Sequence, residues 1–243
     1  MVTPVTVTPV TELSEAALVA RAQALAGRAL AELPRGVFAR VPVARGAPLR
    51  GVSLRGKGAM GTLVERALGI APSSSPEPDL PALGIEVKTL PVVRGRLRES
   101  TWVCSATPTA LLRETWVTSR VRARLARVLF VPIDVDASAL LARRVGTPFL
   151  WSPSDEDEAL LRRDWEDLAD LVAHGLASPR SARRGCVLQL RPKGRDAEQL
   201  RRAIASDGEP YLTRPLGFYL RRAFGQRILD ATFLQGDERY RRS

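Results

Sequence analysis

Residues 79–93 read DLPALGIEVKTLPVV. From Ile85 onward the chain alternates: Ile85, Val87 and Thr89 fall on one side, Glu86 and Lys88 on the other. A period of two marks a strand, because successive side chains on a strand point to opposite faces. Gly84 supplies a turn before it, and Asp79, seven residues before Glu86, lies where that turn can swing its carboxylate alongside. Two carboxylates and a lysine then converge where one strand begins. The lysine is unusual for this chain: of 37 Lys+Arg, only Lys57, Lys88 and Lys193 are lysine. Arginine stays charged and forks onto carboxylate or phosphate, whereas lysine is a compact charge whose pKa moves when it is buried among reacting groups.

The flanking segments set the fold class. KGAMGTLVERALG predicts a helix with Met60, Leu63, Val64 and Leu68 on one face, and APSSSPEPDLP a loop. SEAALVARAQALAGRALAEL predicts a helix capped by Ser14. STWVCSA and RVLFVPIDV read as strands, the second apolar enough to be buried on both faces. In SPSDEDEALLRRDWEDLADLVAHG, Ser154 caps a helix, acids crowd its first turn, Leu161, Trp165, Leu168 and Val172 form its stripe, and Gly175 stops it. GCVLQLRP reads as a strand, DAEQLRRAIAS as a helix and GFYLRRAFGQRIL as a basic helix or strand end. There is no internal repeat. The mixture predicts an α/β (α+β) fold, with residues 1–12 a flexible Thr/Pro/Val-rich arm and 13–243 one domain.

The net charge of +11 and pI near 10.9 point to a polyanionic partner, nucleic acid first. No apolar run reaches the roughly 20 residues that span a bilayer, and the start lacks the order of a signal peptide. The expectation is a cytoplasmic protein with no membrane partner. Cys104 and Cys186 match no disulfide or zinc pattern and are expected to be small buried hydrophobes. The one histidine, His174, is expected in a last helical turn, and a lone histidine argues against triads and histidine-metal sites. Chemistry falls to carboxylates and lysine.

Those groups suit hydrolysis of a phosphodiester. Magnesium takes one or two protein carboxylates and completes its shell with water and phosphate oxygens. Asp79 and Glu86 can supply the carboxylates and the Val87 backbone carbonyl a further oxygen. Lys88 can orient or deprotonate a water, which an arginine cannot. Glu65, on the preceding helix, can approach the same site. The competing reading is a solvated strand face carrying opposite charges, with Glu65 an ordinary exposed glutamate. GVSLRGKG nearly spells a phosphate-binding loop, but Gly58 stands where Ser or Thr should hold magnesium.

Seven blocks share an order and spacing with a known family. KGAMGTLVERALG, PDLPALGIEVKTLPV, STWVCSA, ETWVTSRVRARLARVLFVPI, RRVGTPFLWSPSDEDE, LQLRPKG and GFYLRR resemble the MutH family of mismatch-repair endonucleases, from about residue 14 to 235. Restriction endonucleases of the Sau3AI type share the catalytic block. The resemblance implies a restriction-endonuclease-like mixed β-sheet flanked by helices, in two lobes around a DNA cleft. It implies a monomer that binds GATC in double-stranded DNA. That monomer nicks the unmethylated strand 5′ of the G at hemimethylated sites, using Mg2+ and a MutL-like activator. Mn2+ or Ca2+ would substitute in binding. It assigns Asp79, Glu86 and the Val87 carbonyl to the metal, Lys88 to the water and Glu65 to an additional catalytic role.

The same resemblance places Lys57, Trp102, Arg124, Arg191, Lys193 and Tyr219 on DNA, with Tyr219 near the adenine. Trp102 stands where the family has phenylalanine. Arg124 stands where the family has lysine, which leaves it a phosphate contact. Arg120, Arg122 and Arg127 are expected to add phosphate contacts. The chain contains no asparagine, so adenine must be read by glutamine, a backbone group or Tyr219. The alternatives are a GATC-type restriction endonuclease and a non-catalytic DNA-binding protein.

Overall fold

The computed structural model describes residues 14–38, 41–42, 49–50, 58–71, 75–177, 184–193 and 200–240; the arm at 1–12 and Lys57 lie outside them. The elements run α1 (Glu15–Gln23), β1 (Val41–Pro42), β2 (Leu49–Arg50), α2 (Ala59–Ala67), β3 (Glu86–Val93), β4 (Arg96–Leu97), β5 (Thr101–Ala106), α3 (Pro108–Leu111) and α4 (Arg120–Leu125). They continue β6 (Val128–Asp134), β7 (Arg144–Val145), β8 (Phe149–Trp151), α5 (Asp155–Ala173), β9 (Leu188–Pro192), β10 (Arg201–Ile204), β11 (Pro210–Thr213), β12 (Leu216–Leu220) and α6 (Arg222–Tyr240). The chain divides into two compact units. One takes the chain up to Arg96 together with Val128–Trp151; the other takes Leu97–Arg127 and everything from Ser152.

The first unit is built on a mixed sheet. Its order is β4-β3-β6-β7, and β8 also pairs with β6. β3 and β6 run parallel from Glu86↔Val128 to Val92↔Asp134, while β7 and β8 are antiparallel to β6. Parallel strands are covered on both faces, which is why β6 is buried from Val128 to Ile133. Leu18 and Ala22 of α1 and Leu63, Val64 and Ala67 of α2 share one apolar core with Ile85, Val87, Leu129 and Val131. α1 is shorter than its sequence predicts. The chain turns at Gly27, whose N–H donates to the Val145 carbonyl, and Leu30 donates to that of Arg143. The edge of β7 thus offers acceptors that compete with continued helix, and Leu30–Glu32 forms only a short 3-10 turn.

The second unit centres on the antiparallel sheet β5-β12-β9 and the hairpin β10-β11. α5 matches its sequence signals. Ser154 accepts from the Asp157 N–H, Leu161, Trp165, Leu168 and Val172 are buried, and the helix ends at His174. Of the helix expected over DAEQLRRAIAS, residues 196–199 lie outside the described residues, and Arg201–Ile204 is a strand. Asp207-Gly208 is a hairpin signal, and it folds Arg201–Ile204 onto Pro210–Thr213 in register. Ala203 and Ala205 are buried between exposed neighbours, a period of two rather than 3.6. Cys104 is buried as expected, but Cys186 is exposed, because it stands in the loop before β9. Among the described residues no helix is long and apolar enough to cross a membrane.

Asp164 is the one acid of α5 turned wholly inward, 2% exposed. Its Oδ2 accepts from the N–H groups of Val187 (2.6 Å) and Leu188 (2.9 Å), which fixes the start of β9. Asp164→Ala leaves both buried donors without this acceptor. It should cost about 3 kcal/mol, read as a fall in the denaturant midpoint; an unchanged midpoint would show that water replaces the carboxylate.

Candidate catalytic site and basic sheet face

The start of β3 is shaped by a tight turn. Leu80 and Ile85 exchange backbone hydrogen bonds (2.9 and 3.2 Å) around Pro81–Leu83, and Gly84 takes the left-handed conformation, φ 64°, that closes the loop. Asp79 is thereby folded back beside the strand. Its Oδ2 accepts from the Val87 N–H at 3.0 Å, and its own N–H donates to Glu86 Oε2 at 3.3 Å. Lys88 Nζ donates to Glu86 Oε1 at 2.9 Å. Asp79, Glu86 and Lys88 thus converge as the sequence spacing requires.

Their surroundings differ from the competing reading. Glu86 is 2% and Lys88 6% exposed, so this is not a solvated strand face. Alternation gives β3 a polar side, but its parallel partner lies in a sheet covered on both faces. Burying two charges costs several kcal/mol per ion before pairing, and an apolar pair of equal volume is often as stable or more so. The pair is therefore poorly explained by stability, and ionisable groups held inside in this way are candidates for function.

The strand also sets where oxygens face. The N–H and C=O of one strand residue point to the same side. Because Asp79 takes the Val87 N–H, the Val87 carbonyl lies on that same edge. Two carboxylates and one carbonyl then border one place. Among the described residues no group of three His, Cys, Asp or Glu side chains could hold a metal by itself. A cation here would rest on Asp79, Glu86 and the Val87 carbonyl, completed by water and phosphate oxygens, which is a donor set magnesium accepts. Glu65 reaches β3 from α2: a Cβ at Gly61 would lie 3.6 Å from Glu65 Oε1 and 3.8 Å from Thr89 Oγ1. Its carboxylate thus lies on the side of α2 that Gly61 turns toward Thr89 of β3.

The second unit carries the other candidates. On the outer face of β5-β12-β9, Tyr219 lies opposite Trp102 on one side and Gln189 on the other, and Gly217 opposite Arg191. The register with β5 shifts between Phe218 and Tyr219, so Val103 is an extra residue in β5. This bulge re-aims the strand and turns Trp102 and Ser105 to one face. A Cβ at Gly217 would lie 3.1 Å from Trp102 Nε1, so a side chain there would press on the indole.

Two cations lie along the face. Lys193 Nζ donates to Ser105 Oγ at 2.9 Å and stands 5.3 Å from the Trp102 ring centre. Arg191 Nη1 donates to Ser100 Oγ at 2.7 Å, with its guanidinium 5.4 Å from the Tyr219 ring centre. Cations over aromatic faces are held in orientation by the ring quadrupole. Burial pushes the Tyr219 hydroxyl above its ordinary 10.0; the Arg191 charge opposes this and Glu99 adds to it. The phenol keeps its proton at neutral pH and can donate. Ser100, Ser105 and Gln189 were not singled out from sequence, although alternation in LQLRP already puts Gln189 with Arg191.

Arg124 sits half-buried on α4. Two of the arginines expected on phosphate have acidic partners: Arg120 pairs with Glu114 at 3.2 Å and Arg122 with Glu158 at 2.7 Å. Arg122 and the Trp116 indole share Glu158 Oε1, which makes Arg122 a brace between α4 and α5. Arg127 donates to Ser152 Oγ.

Comparison with known proteins gives one answer. A family model described as "DNA mismatch repair enzyme MutH" matches residues 68–164, the segment holding Asp79, Glu86, Lys88, Trp102 and Arg124. The DNA mismatch repair proteins MutH of Salmonella paratyphi B and Salmonella typhi are each 51% identical over 180 residues, spanning 73% of this chain and 78% of theirs.

The buried pair makes a prediction that needs no assay of activity. Lys88→Met alone strands the Glu86 carboxylate inside and should cost about 3–5 kcal/mol. Adding Glu86→Leu should recover most of that loss. A single variant as stable as the parent would show that the two charges are not buried together in solution.

Proposed function

This chain belongs to the MutH family of DNA mismatch repair enzymes, and from that premise we propose that it is a methyl-directed nicking endonuclease. Its substrate is double-stranded DNA containing hemimethylated GATC. It hydrolyses the phosphodiester 5′ of the G on the unmethylated strand, as a monomer in the cytoplasm, when engaged by a MutL-like activator. The observation that carries the reading is the buried Glu86–Lys88 pair at the edge where Asp79 is hydrogen-bonded.

Asp79, Glu86 and the Val87 carbonyl hold magnesium. When bound, that ion stabilises charge on the attacked phosphate and makes water a stronger acid. Lys88, oriented by Glu86, acts on the water and on the developing negative charge. Its amine can also take a proton, which a guanidinium cannot. Glu65, on α2, is the additional catalytic carboxylate of the site. Arg191, Lys193, Trp102, Arg124 and Lys57 contact DNA, and Tyr219 lies near the adenine whose methyl group decides the strand. A single catalytic block in a monomer cuts one strand; the restriction-enzyme alternative requires two blocks acting together.

A plasmid with one GATC site, prepared unmethylated, hemimethylated and fully methylated, tests this. Nicking of the unmethylated strand of the hemimethylated form, dependent on magnesium and lost with chelator, is expected. Rapid linearisation of unmethylated DNA would instead identify a restriction enzyme, and no cleavage with magnesium and a MutL-like protein present would leave a DNA-binding protein. Glu86→Ala and Lys88→Ala should each lower nicking at least about 1000-fold, in the range lost with a transition-state charge stabiliser, while the folded variants still bind DNA. Substantial residual nicking in either would remove that residue from the chemistry. Tyr219→Phe should chiefly reduce the preference between unmethylated and methylated adenine; an unchanged preference would exclude the hydroxyl as the sensor.

A further inference from the structure

We propose that Gln189 is the residue that reads the adenine edge and, through it, the methyl group, an inference that rests on the GATC reading above. The chain has no asparagine and five glutamines. Side chains are described for Gln23, Gln189 and Gln226. Gln23 belongs to α1 in the other unit, and Gln226 is committed to the Leu97 N–H and to Asp230. Among these three described glutamines, only Gln189 stands on the face that carries Arg191 and Tyr219. It is directly opposite Tyr219 in the β9-β12 register, half-buried, with no side-chain hydrogen bond to another described residue. Its neighbours are held: Arg191 by Ser100 and Tyr219, Lys193 by Ser105 and Trp102. An amide left unengaged in an otherwise organised polar row is available for a ligand.

The chemistry selects adenine. In the major groove adenine presents the N7 acceptor beside an N6–H donor, and a carboxamide matches both with its NH2 and its oxygen. Guanine offers two acceptors there, which suits Arg191. Two neighbouring side chains on one strand face thus complement two adjacent purines. The amide also accounts for a methyl effect. One N6 hydrogen pairs with thymine; the other points into the groove, and N6-methylation in the duplex replaces it. Gln189 then loses its donor and meets a methyl group. Tyr219 beside it closes the site without carrying the whole discrimination.

The test measures binding of the full chain to duplexes carrying one GATC site. The adenine of one strand is natural, N6-methylated or 7-deazaadenine, which lacks N7, and a scrambled duplex is the control. Wild-type protein should lose roughly 5- to 150-fold on 7-deazaadenine, the span of one bidentate base contact. Gln189→Met should lose a comparable factor on natural DNA, lose nothing further on 7-deazaadenine, bind scrambled DNA as before and show a smaller methyl effect. Wild-type binding indifferent to 7-deazaadenine overturns the assignment without recourse to any variant. So does a Gln189→Met protein that keeps full affinity and methyl preference. Wild-type protein that does not prefer GATC to scrambled DNA removes the GATC reading itself, and this inference with it.

Discussion

A glutamate and a lysine two residues apart on a buried strand are the constraint around which the first unit is arranged. The helix α2 packs on the Ile85 and Val87 side of β3, and on the other side Glu86 and Lys88 stand buried beside Val128 and Phe130 of β6, so the charges at its start are not left to water. They are accommodated by pairing with each other and by folding Asp79 back through the Gly84 turn, which gives Glu86 a backbone donor and the Val87 N–H an acceptor. Each hydrogen bond that settles a buried charge also aims an oxygen toward the same strand edge. The turn, the register and the pair are therefore one device.

The second unit solves a different problem. A reading face needs cations that stay put, and long side chains on an exposed sheet ordinarily do not. Here each has two anchors, a serine hydroxyl and an aromatic ring. Those anchors share a face because β5 carries one extra residue at Val103, and the indole lies close over position 217, which has no side chain. The inner side of the same strands, Leu188, Leu190, Phe218 and Leu220, is buried core that holds the outer row level.

What could be read from sequence follows the range of each interaction. The alternation in GIEVKTL, the capping of α5 and the unbroken apolar run of β6 are local signals, and those elements formed as expected. The convergence of Asp79 with Glu86 was legible because a short turn separates them. The burial of Glu86 and Lys88 was not, since it depends on β6, which returns only after β5 and α4. DAEQLRRAIAS misled because its apolar spacing suits a helix when Asp207-Gly208 is overlooked. The partnership of Trp102 with Ser105 was hidden because three residues apart on a regular strand means opposite faces. The pairing of Arg122 with Glu158 was not legible, because charge alone does not reveal which acid a distant element brings within reach.

The division of the chain has a consequence for inheritance and engineering. Each unit is assembled from two separated stretches, and the segment Val128–Trp151 interrupts the second unit to complete the first. No single contiguous fragment gives the first unit without part of the second. A piece ending near Arg96 keeps β3 but lacks β6, and a piece beginning at Leu97 carries β6, apolar on both faces, with no β3 to cover it. Such an orphan strand is an aggregation hazard. Strand β3 and the face of β5-β12-β9 therefore cannot be shuffled as modules by simple recombination, and any new pairing of the two must be reached by substitution within the intact chain.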